Sequence, residues 1–183
     1  MRVIAGRLKG RVLKPPRWAG LRPTSERLRE TVFDVLQCRV TGARVLDVYA
    51  GTGALGIEAI SRGAAWVTFI EGDRRAQALI AENLARCGIE NLCAIIRLTT
   101  EQALSDLGAD PALMPFDIIL LDPPYGQAAD WCLADCGRLL RDTGMVVFEH
   151  SRRSVPPDAA GRLARTRTLR AGDSALSLYQ CRR

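Results

Sequence analysis

Short apolar runs and amphipathic stretches alternate through the middle of this 183-residue chain. The runs Arg44–Val48, Trp66–Ile70, Cys93–Arg97, Phe116–Leu121 and Met145–Glu149 are mostly continuous in their apolar character rather than alternating. A strand that is apolar on both faces is covered on both faces, as in a parallel sheet. Between the runs lie Ala54–Arg62, Arg74–Arg86, Glu101–Leu107 and Asp130–Arg141, which read as helices. Strand and helix alternating at this length predict a doubly wound α/β sandwich. The C-terminal part departs from that rhythm: Leu163–Leu169 and Ala175–Gln180, joined through Gly172-Asp173, predict an antiparallel pair.

The first 22 residues break the pattern at the other end. Gly6, Gly10, Pro15, Pro16 and Gly20 separate short apolar steps, and Pro15-Pro16 fits neither a helix nor a central strand. Residues 1–22 are therefore expected to form a hairpin or extended arm, and 23–183 a single compact domain. After Pro23 the helical period begins: Thr24 is the expected N-cap, Glu26 favours the positive helix end, and Leu28, Val32, Val35 and Leu36 share a face. This predicts a first helix over about 24–37.

Charge changes the picture more than composition does. The net charge is +6, but it is segregated. Residues 1–29 hold nine cations and one acid, Glu26; residues 30–137 hold seven arginines and fifteen acids; residues 138–183 hold ten arginines and four acids. An acidic middle between basic ends suggests a core that handles a cation and outer segments that grip a polyanion. No apolar run approaches a membrane span, and the start, MRVIAGRLKGR, lacks the apolar stretch of a signal peptide, so a cytoplasmic protein without membrane contact is expected. The six cysteines (Cys38, Cys87, Cys93, Cys132, Cys136, Cys181) form no Cys-x-x-Cys pair, and His150 is the only histidine. Scattered reduced thiols are expected, and no metal site.

Two strand ends carry candidate chemistry. The first strand runs through Asp47 into Ala50-Gly51-Thr52-Gly53-Ala-Leu-Gly56, a strand-to-helix turn whose glycines let a ligand approach the backbone. The spacing Gly51-x-Gly53-x-x-Gly56 also fits a dinucleotide site. Asp47 separates the two: its carboxylate suits the cationic methionine end of S-adenosyl-L-methionine and would repel a pyrophosphate. Glu71, after the second strand, can accept hydrogen bonds from both ribose hydroxyls. After the third strand, Thr99 or Thr100 is the candidate for the adenine, although either suits a cap of the following helix slightly better.

The fourth strand empties into Asp122-Pro123-Pro124-Tyr125. An exocyclic base amine is a poor nucleophile because its lone pair is delocalised into the ring. Acceptors set against both N–H bonds, the Asp122 carboxylate and the Pro123 carbonyl on a stiff backbone, would restore that lone pair. Tyr125 offers a flat surface for a base drawn out of its stack. His150 follows the fifth strand, Glu149 stands beside it, and each reads as structural.

With these residues in view, the chain resembles the bacterial 16S ribosomal RNA guanine-N2 methyltransferase family that modifies guanine 966. The resemblance spans Arg-Val-Ile-Ala-Gly6-x-x-x-Gly10-Arg, Gly20-Leu-Arg22-Pro23-Thr24-Ser25-x-Arg27-x-Arg29-Glu30-Thr31-x-Phe33, the Asp47 and Gly51–Gly56 segment, Asp122–Tyr125, and Gly172-Asp173-Ser-Ala-Leu-Ser-Leu-Tyr179. Asp-Pro-Pro-Tyr is shared with adenine-N6 methyltransferases, whereas the Arg22–Phe33 segment is not. The family commonly has Asp or Asn near the end of the third strand, where this chain has Thr99. The resemblance implies a class I S-adenosylmethionine-dependent methyltransferase fold with a mostly parallel seven-stranded sheet. It also implies a monomeric enzyme whose partner is the assembling small ribosomal subunit. Arg2, Arg7, Lys9, Arg11, Arg22, Arg27 and Arg29 are then the expected RNA-phosphate contacts. Two other functions fit the same motifs: adenine-N6 methylation of DNA or RNA, and a non-catalytic RNA-binding assembly factor.

Overall fold

The computed structural model describes residues 1–19, 24–110, 112, 114–124 and 130–182, the side chains of 130 and 171 excepted. The helices are α1 (Glu26–Leu36), α2 (Ala54–Ser61), α3 (Arg74–Cys87), α4 (Thr100–Ala109) and α5 (Asp130–Leu139). The strands are β1 (Arg44–Val48), β2 (Trp66–Ile70), β3 (Cys93–Ile96), β4 (Phe116–Leu121), β5 (Leu140–Ser151), β6 (Ala159–Ala160), β7 (Leu163–Ala171) and β8 (Ser174–Cys181). They form one sheet in the order β3-β2-β1-β4-β5-β8-β7-β6. The first five strands are parallel, and β8, β7 and β6 are added antiparallel.

The expected doubly wound, mostly parallel sheet is present, with one addition. β6, only two residues long, pairs with the start of β7 at the sheet edge. Two residues carry no periodicity, so pairing alone reveals it. The end of α5 also differs from expectation: the helix stops at Leu139, and β5 already pairs at Leu140 with Phe116. The register then shifts before Met145 joins Ile118, so exposed Arg141, Asp142 and Thr143 bulge outward.

Alternate strand residues face opposite layers. Val45, Val67, Phe69, Ile118, Leu120 and Val147 pack with α1, α2 and α3. Leu46, Val48, Ile70, Ile119, Leu121 and Val146 pack with α4 and α5. Burial on both faces is why those runs read as continuous apolar stretches.

The N-terminal segment joins the α1–α2–α3 layer. Arg2 and Val12 bridge as antiparallel partners, and Val3, Leu8 and Leu13 enter the core. Asn83 on α3 is the latch: it accepts from the Lys14 N–H at 2.7 Å and donates to the Lys14 and Thr52 carbonyls at 3.2 and 3.1 Å. Helix α1 starts one residue later than the capping expectation. Ser25, not Thr24, is the N-cap, accepting from the Leu28 N–H at 3.1 Å. Among the described residues, no helix is long and apolar enough to cross a membrane.

Candidate active site

The strand order reverses between β1 and β4, because the chain winds outward to β3 and then returns to the other side of β1. Open α/β sheets bind ligands at the C-terminal ends of the strands flanking such a reversal. A pocket of about 560 Å³ lies there. Its wall comes from the turn after β1 (Tyr49–Thr52), the end of β2 (Glu71, Asp73), the end of β4 (Asp122–Pro124), the end of β5 (Glu149), Ser174 of β8, and Thr24, Ser25 and Leu28 at the start of α1.

The turn between β1 and α2 needs left-handed backbone. Tyr49, Gly51 and Gly53 have φ of 61°, 57° and 76°, and the Gly53 N–H closes the turn on the Ala50 carbonyl at 2.7 Å. A positive φ at a tyrosine is a local cost, and it falls in the pocket wall. Glu71 ties the turn to β2 from below. One carboxylate oxygen accepts from the Gly51 N–H and the other from the Asp73 N–H, both at 2.8 Å. Ala50, Gly51 and Thr52 line the pocket as the motif suggested. Gly56 does not. A Cβ there would lie 2.2 Å from Phe69 Cε1, so its glycine lets α2 pack against β2.

Asp47 lies one layer beneath the pocket. It is 1% exposed, and its Oδ2 accepts from the Gly56 N–H at 2.9 Å. Its Oδ1 is buried with no hydrogen-bond partner. Burial pushes its pKa up to about 8; the Gly56 N–H opposes the rise, and the Glu71 charge adds to it. Thr99 is also away from the wall. Its hydroxyl caps α4, accepting from the Gln102 N–H at 3.3 Å.

Asp122 and Glu149 follow the paired residues Leu121 and Phe148, so their carboxyl groups meet at neighbouring strand ends. Thr24 donates its hydroxyl to Asp122 Oδ2 at 2.6 Å. Enclosure raises the Asp122 pKa well above the carboxylate range. A hydrogen bond to Glu149 and the Glu149 charge raise it further, while the Thr24 hydroxyl opposes them. Two carboxyl groups can hydrogen-bond only if one is protonated, and here Asp122 is the donor. Pro123 is buried, Pro124 is exposed, and both line the pocket. Tyr125 lies outside the described residues.

Several wall residues carry no sequence signal. Trp18 sits in the irregular arm, yet it lines the pocket with the Arg75 guanidinium 5.2 Å from its ring centre. Arg75 is itself held by Asp73, with Nη2 to Oδ2 at 2.7 Å. Glu149 reads from sequence as a structural neighbour of His150. In the fold Glu149 faces the pocket, while His150 keeps the structural role. His150 Nδ1 lies 2.9 Å from the Ser151 carbonyl oxygen and so carries the proton. Its Nε2 then accepts from the Ser177 hydroxyl at 2.9 Å.

The expected phosphate contacts separate into groups. Arg2 and Arg27 are exposed near the start of α1, with Arg2 Nε 3.8 Å from Glu26. Arg7, Lys9 and Arg11 are exposed near the hairpin turn, where the Arg7 N–H donates to the carbonyl of Ser61, the last residue of α2. Arg22 lies outside the described residues. Arg29 must be corrected: it is fully buried and unavailable to phosphate. Its Nη1 lies 3.5 Å from Glu58 Oε2 and its Nη2 donates to the Arg2 carbonyl at 2.9 Å. Glu58 in turn accepts from the Ile4 and Ala5 N–H groups at 2.8 and 2.9 Å. One buried ion pair thus joins the arm to α1 and α2. The cysteines are all free, with Cys87, Cys132 and Cys136 buried and Cys38 exposed.

Residues 1–180 match the protein family described as "Conserved hypothetical protein 95". The chain belongs to that family. YlbH of Bacillus subtilis is 35% identical over 185 residues, covering 100% of both chains. An Escherichia coli K12 protein named "Ribosomal RNA small subunit methyltransferase D" is 35% identical over 98% of this chain and 89% of its own. The solved structure of yhhF from Escherichia coli, 34% identical, superposes with a TM-score of 0.80 over 99% of this chain and 97% of that one. The resemblance read from the motifs is to this same group of proteins, and the class I methyltransferase fold it implied is the fold observed.

Proposed function

We propose that this chain transfers a methyl group from S-adenosyl-L-methionine to the exocyclic N2 of a guanine in 16S ribosomal RNA, on the small subunit or one of its assembly intermediates. The observation that carries this reading is that Asp122, Pro123 and Glu149 line the same pocket as the Gly51 turn and Glu71. The name of the Escherichia coli relative supports ribosomal RNA of the small subunit as substrate. The motif resemblance supports guanine N2.

The residues fit the methyl donor. Asp47 Oδ1 is a buried acceptor without a donor, a deficit that a cationic group above the Ala50–Thr52 turn would relieve through its charge. Glu71 uses one lone pair of each oxygen on the Gly51 and Asp73 N–H groups, leaving a second on each for ribose hydroxyls. A volume near 560 Å³ is in the range of small-molecule pockets. When bound, the cofactor supplies an electrophilic methyl group on a sulfonium.

The protein's own part is to prepare the acceptor. The ionised Asp122 carboxylate and the Pro123 carbonyl accept the two N–H bonds of the exocyclic amine, drawing its lone pair out of the ring. Thr24, bonded to Asp122 Oδ2, fixes the carboxylate plane. With the donor held at the Gly51 turn and Glu71, that lone pair would form the new N–C bond while the S–C pair returned to sulfur. The proton shed by the amine passes to the Asp122–Glu149 pair. Positioning supplies most of the rate. Tyr125 is assigned the stacking of the extruded base. Arg2, Arg7, Lys9, Arg11, Arg22 and Arg27 are assigned phosphate contacts.

The test is a methyl-transfer reaction with labelled cofactor on small-subunit RNA, followed by digestion and identification of the base. N2-methylguanine is the expected product; N6-methyladenine would replace this reading with the adenine one. In the same assay Asp122→Ala is expected to lose turnover while cofactor binding persists. Full turnover by that variant would remove Asp122 from the chemistry.

A further inference from the structure

Resting on that reading, we propose that the RNA strand entering the pocket is gripped by an arginine ridge formed by Arg152, Arg153 and Arg170, on the C-terminal side of the sheet. Topology puts the three at the pocket's edge. β5 runs parallel to β4, so the turn that follows it, with Arg152 and Arg153, emerges where Asp122 does. β8 is antiparallel to β5 and β7 antiparallel to β8, so β7 ends at that same edge with Arg170. The contacts close the argument: Ser174, which lines the pocket, pairs with both Ser151 and Ala171, and the Arg152 N–H donates to the Asp173 carbonyl at 3.0 Å.

Charge makes this edge a polyanion site. All three arginines are exposed. Elsewhere in the same region Arg162 pairs with Asp142 and Arg165 with Asp158. Among the described residues no carboxylate comes within ion-pair distance of Arg152, Arg153 or Arg170, although Asp173 is in the adjoining turn. Guanidinium groups with no carboxylate partner suit phosphates, which they can bind through two parallel N–H bonds. The hairpin-turn cations are placed differently. Arg7 adjoins the end of α2 remote from the pocket, and that helix of eight residues is about 12 Å long. They are placed to hold RNA that continues past the pocket mouth.

The test compares the full-length chain with an R152Q/R153Q/R170Q variant and an R152K/R153K/R170K variant. Binding to a 16S ribosomal RNA transcript and to small ribosomal subunits lacking the methyl group is measured in rising KCl, with steady-state methyl transfer on both and cofactor binding alongside. The glutamine variant is expected to bind cofactor normally and to flatten the plot of log affinity against log salt by about two units, at about 0.7 per lost contact with single-stranded RNA. Its KM for RNA is expected to rise at least tenfold with kcat nearly unchanged. The lysine variant, which keeps the charge, is expected to retain most of the slope. A glutamine variant with wild-type slope and KM would overturn the ridge while leaving methyl transfer intact. If the wild-type chain neither binds nor methylates the transcript or the unmethylated small subunits, the proposed function fails and the ridge with it.

Discussion

Asp122 and Glu149 close neighbouring parallel strands and are hydrogen-bonded to each other in the wall of the pocket, with Asp122 as the protonated partner. Thr24 holds the other side of Asp122. Enclosure, the Glu149 bond and the Glu149 and Asp47 charges all favour the neutral acid. Taking up the proton that the amine sheds requires the ionised form, so kcat/KM is expected to rise with pH as the pair loses its proton. Glu149→Gln removes a like charge and replaces an anionic acceptor with a weaker neutral one, which lowers the Asp122 pKa. The rising limb of the pH profile should therefore move to lower pH. A limb that stays in place would show that a different group controls it.

Asp47 has its pKa raised to about 8 in the fold, against an ordinary value below 4 in the unfolded chain. Between those two values the folded state binds the extra proton, so this group lowers the stability of the cofactor-free protein as pH climbs, with no further loss above about 8. Asp47→Asn removes the charge and keeps an acceptor for the Gly56 N–H. Its melting temperature should exceed that of the parent by several degrees at pH 8 and by little near pH 4. Cofactor affinity should fall at the same time. Equal melting curves at pH 8 would contradict the assignment of Asp47 as an uncompensated buried carboxylate.

Arg29 and Glu58 are both fully buried, and the pair holds the arm to α1 and α2. Removing one member of a buried pair leaves the other charge without compensation, at about 3–5 kcal/mol. Arg62 and two backbone N–H groups still serve Glu58, so Arg29→Met is expected near the lower end of that range in urea unfolding. The salt dependence of RNA binding by the folded fraction should not change. A flattened slope with undiminished stability would return Arg29 to the phosphate contacts.

Gly56→Ala would push a methyl group into Phe69. Overpacking of this kind costs about 1–3 kcal/mol. Adding Phe69→Leu should recover part of it in thermal unfolding, the remainder staying with Val67, whose Cγ1 would lie 2.8 Å from the same Cβ. If the double variant regains stability but not cofactor affinity, Gly56 serves the ligand directly as well.

What the sequence determined by itself is whatever depends on near neighbours along the chain. Continuous apolar runs marked the parallel strands, glycine spacing marked the Gly51 turn, and carboxylates immediately after strands landed at the ligand-binding edge. Each follows from periodicity or turn chemistry within a few residues, and β6 escaped because two residues have no period. The partners of polar side chains were decided by the tertiary structure. Thr24, expected from the sequence to cap α1, instead bonds Asp122, 98 positions away, because the start of α1 lies across the end of β4. Glu149 meets Asp122 because β5 pairs with β4, and Arg29 turns inward because a buried glutamate on α2 awaits it. A charged side chain adopts the lowest-energy partner that packing brings within reach, and sheet order, not local sequence, sets that reach.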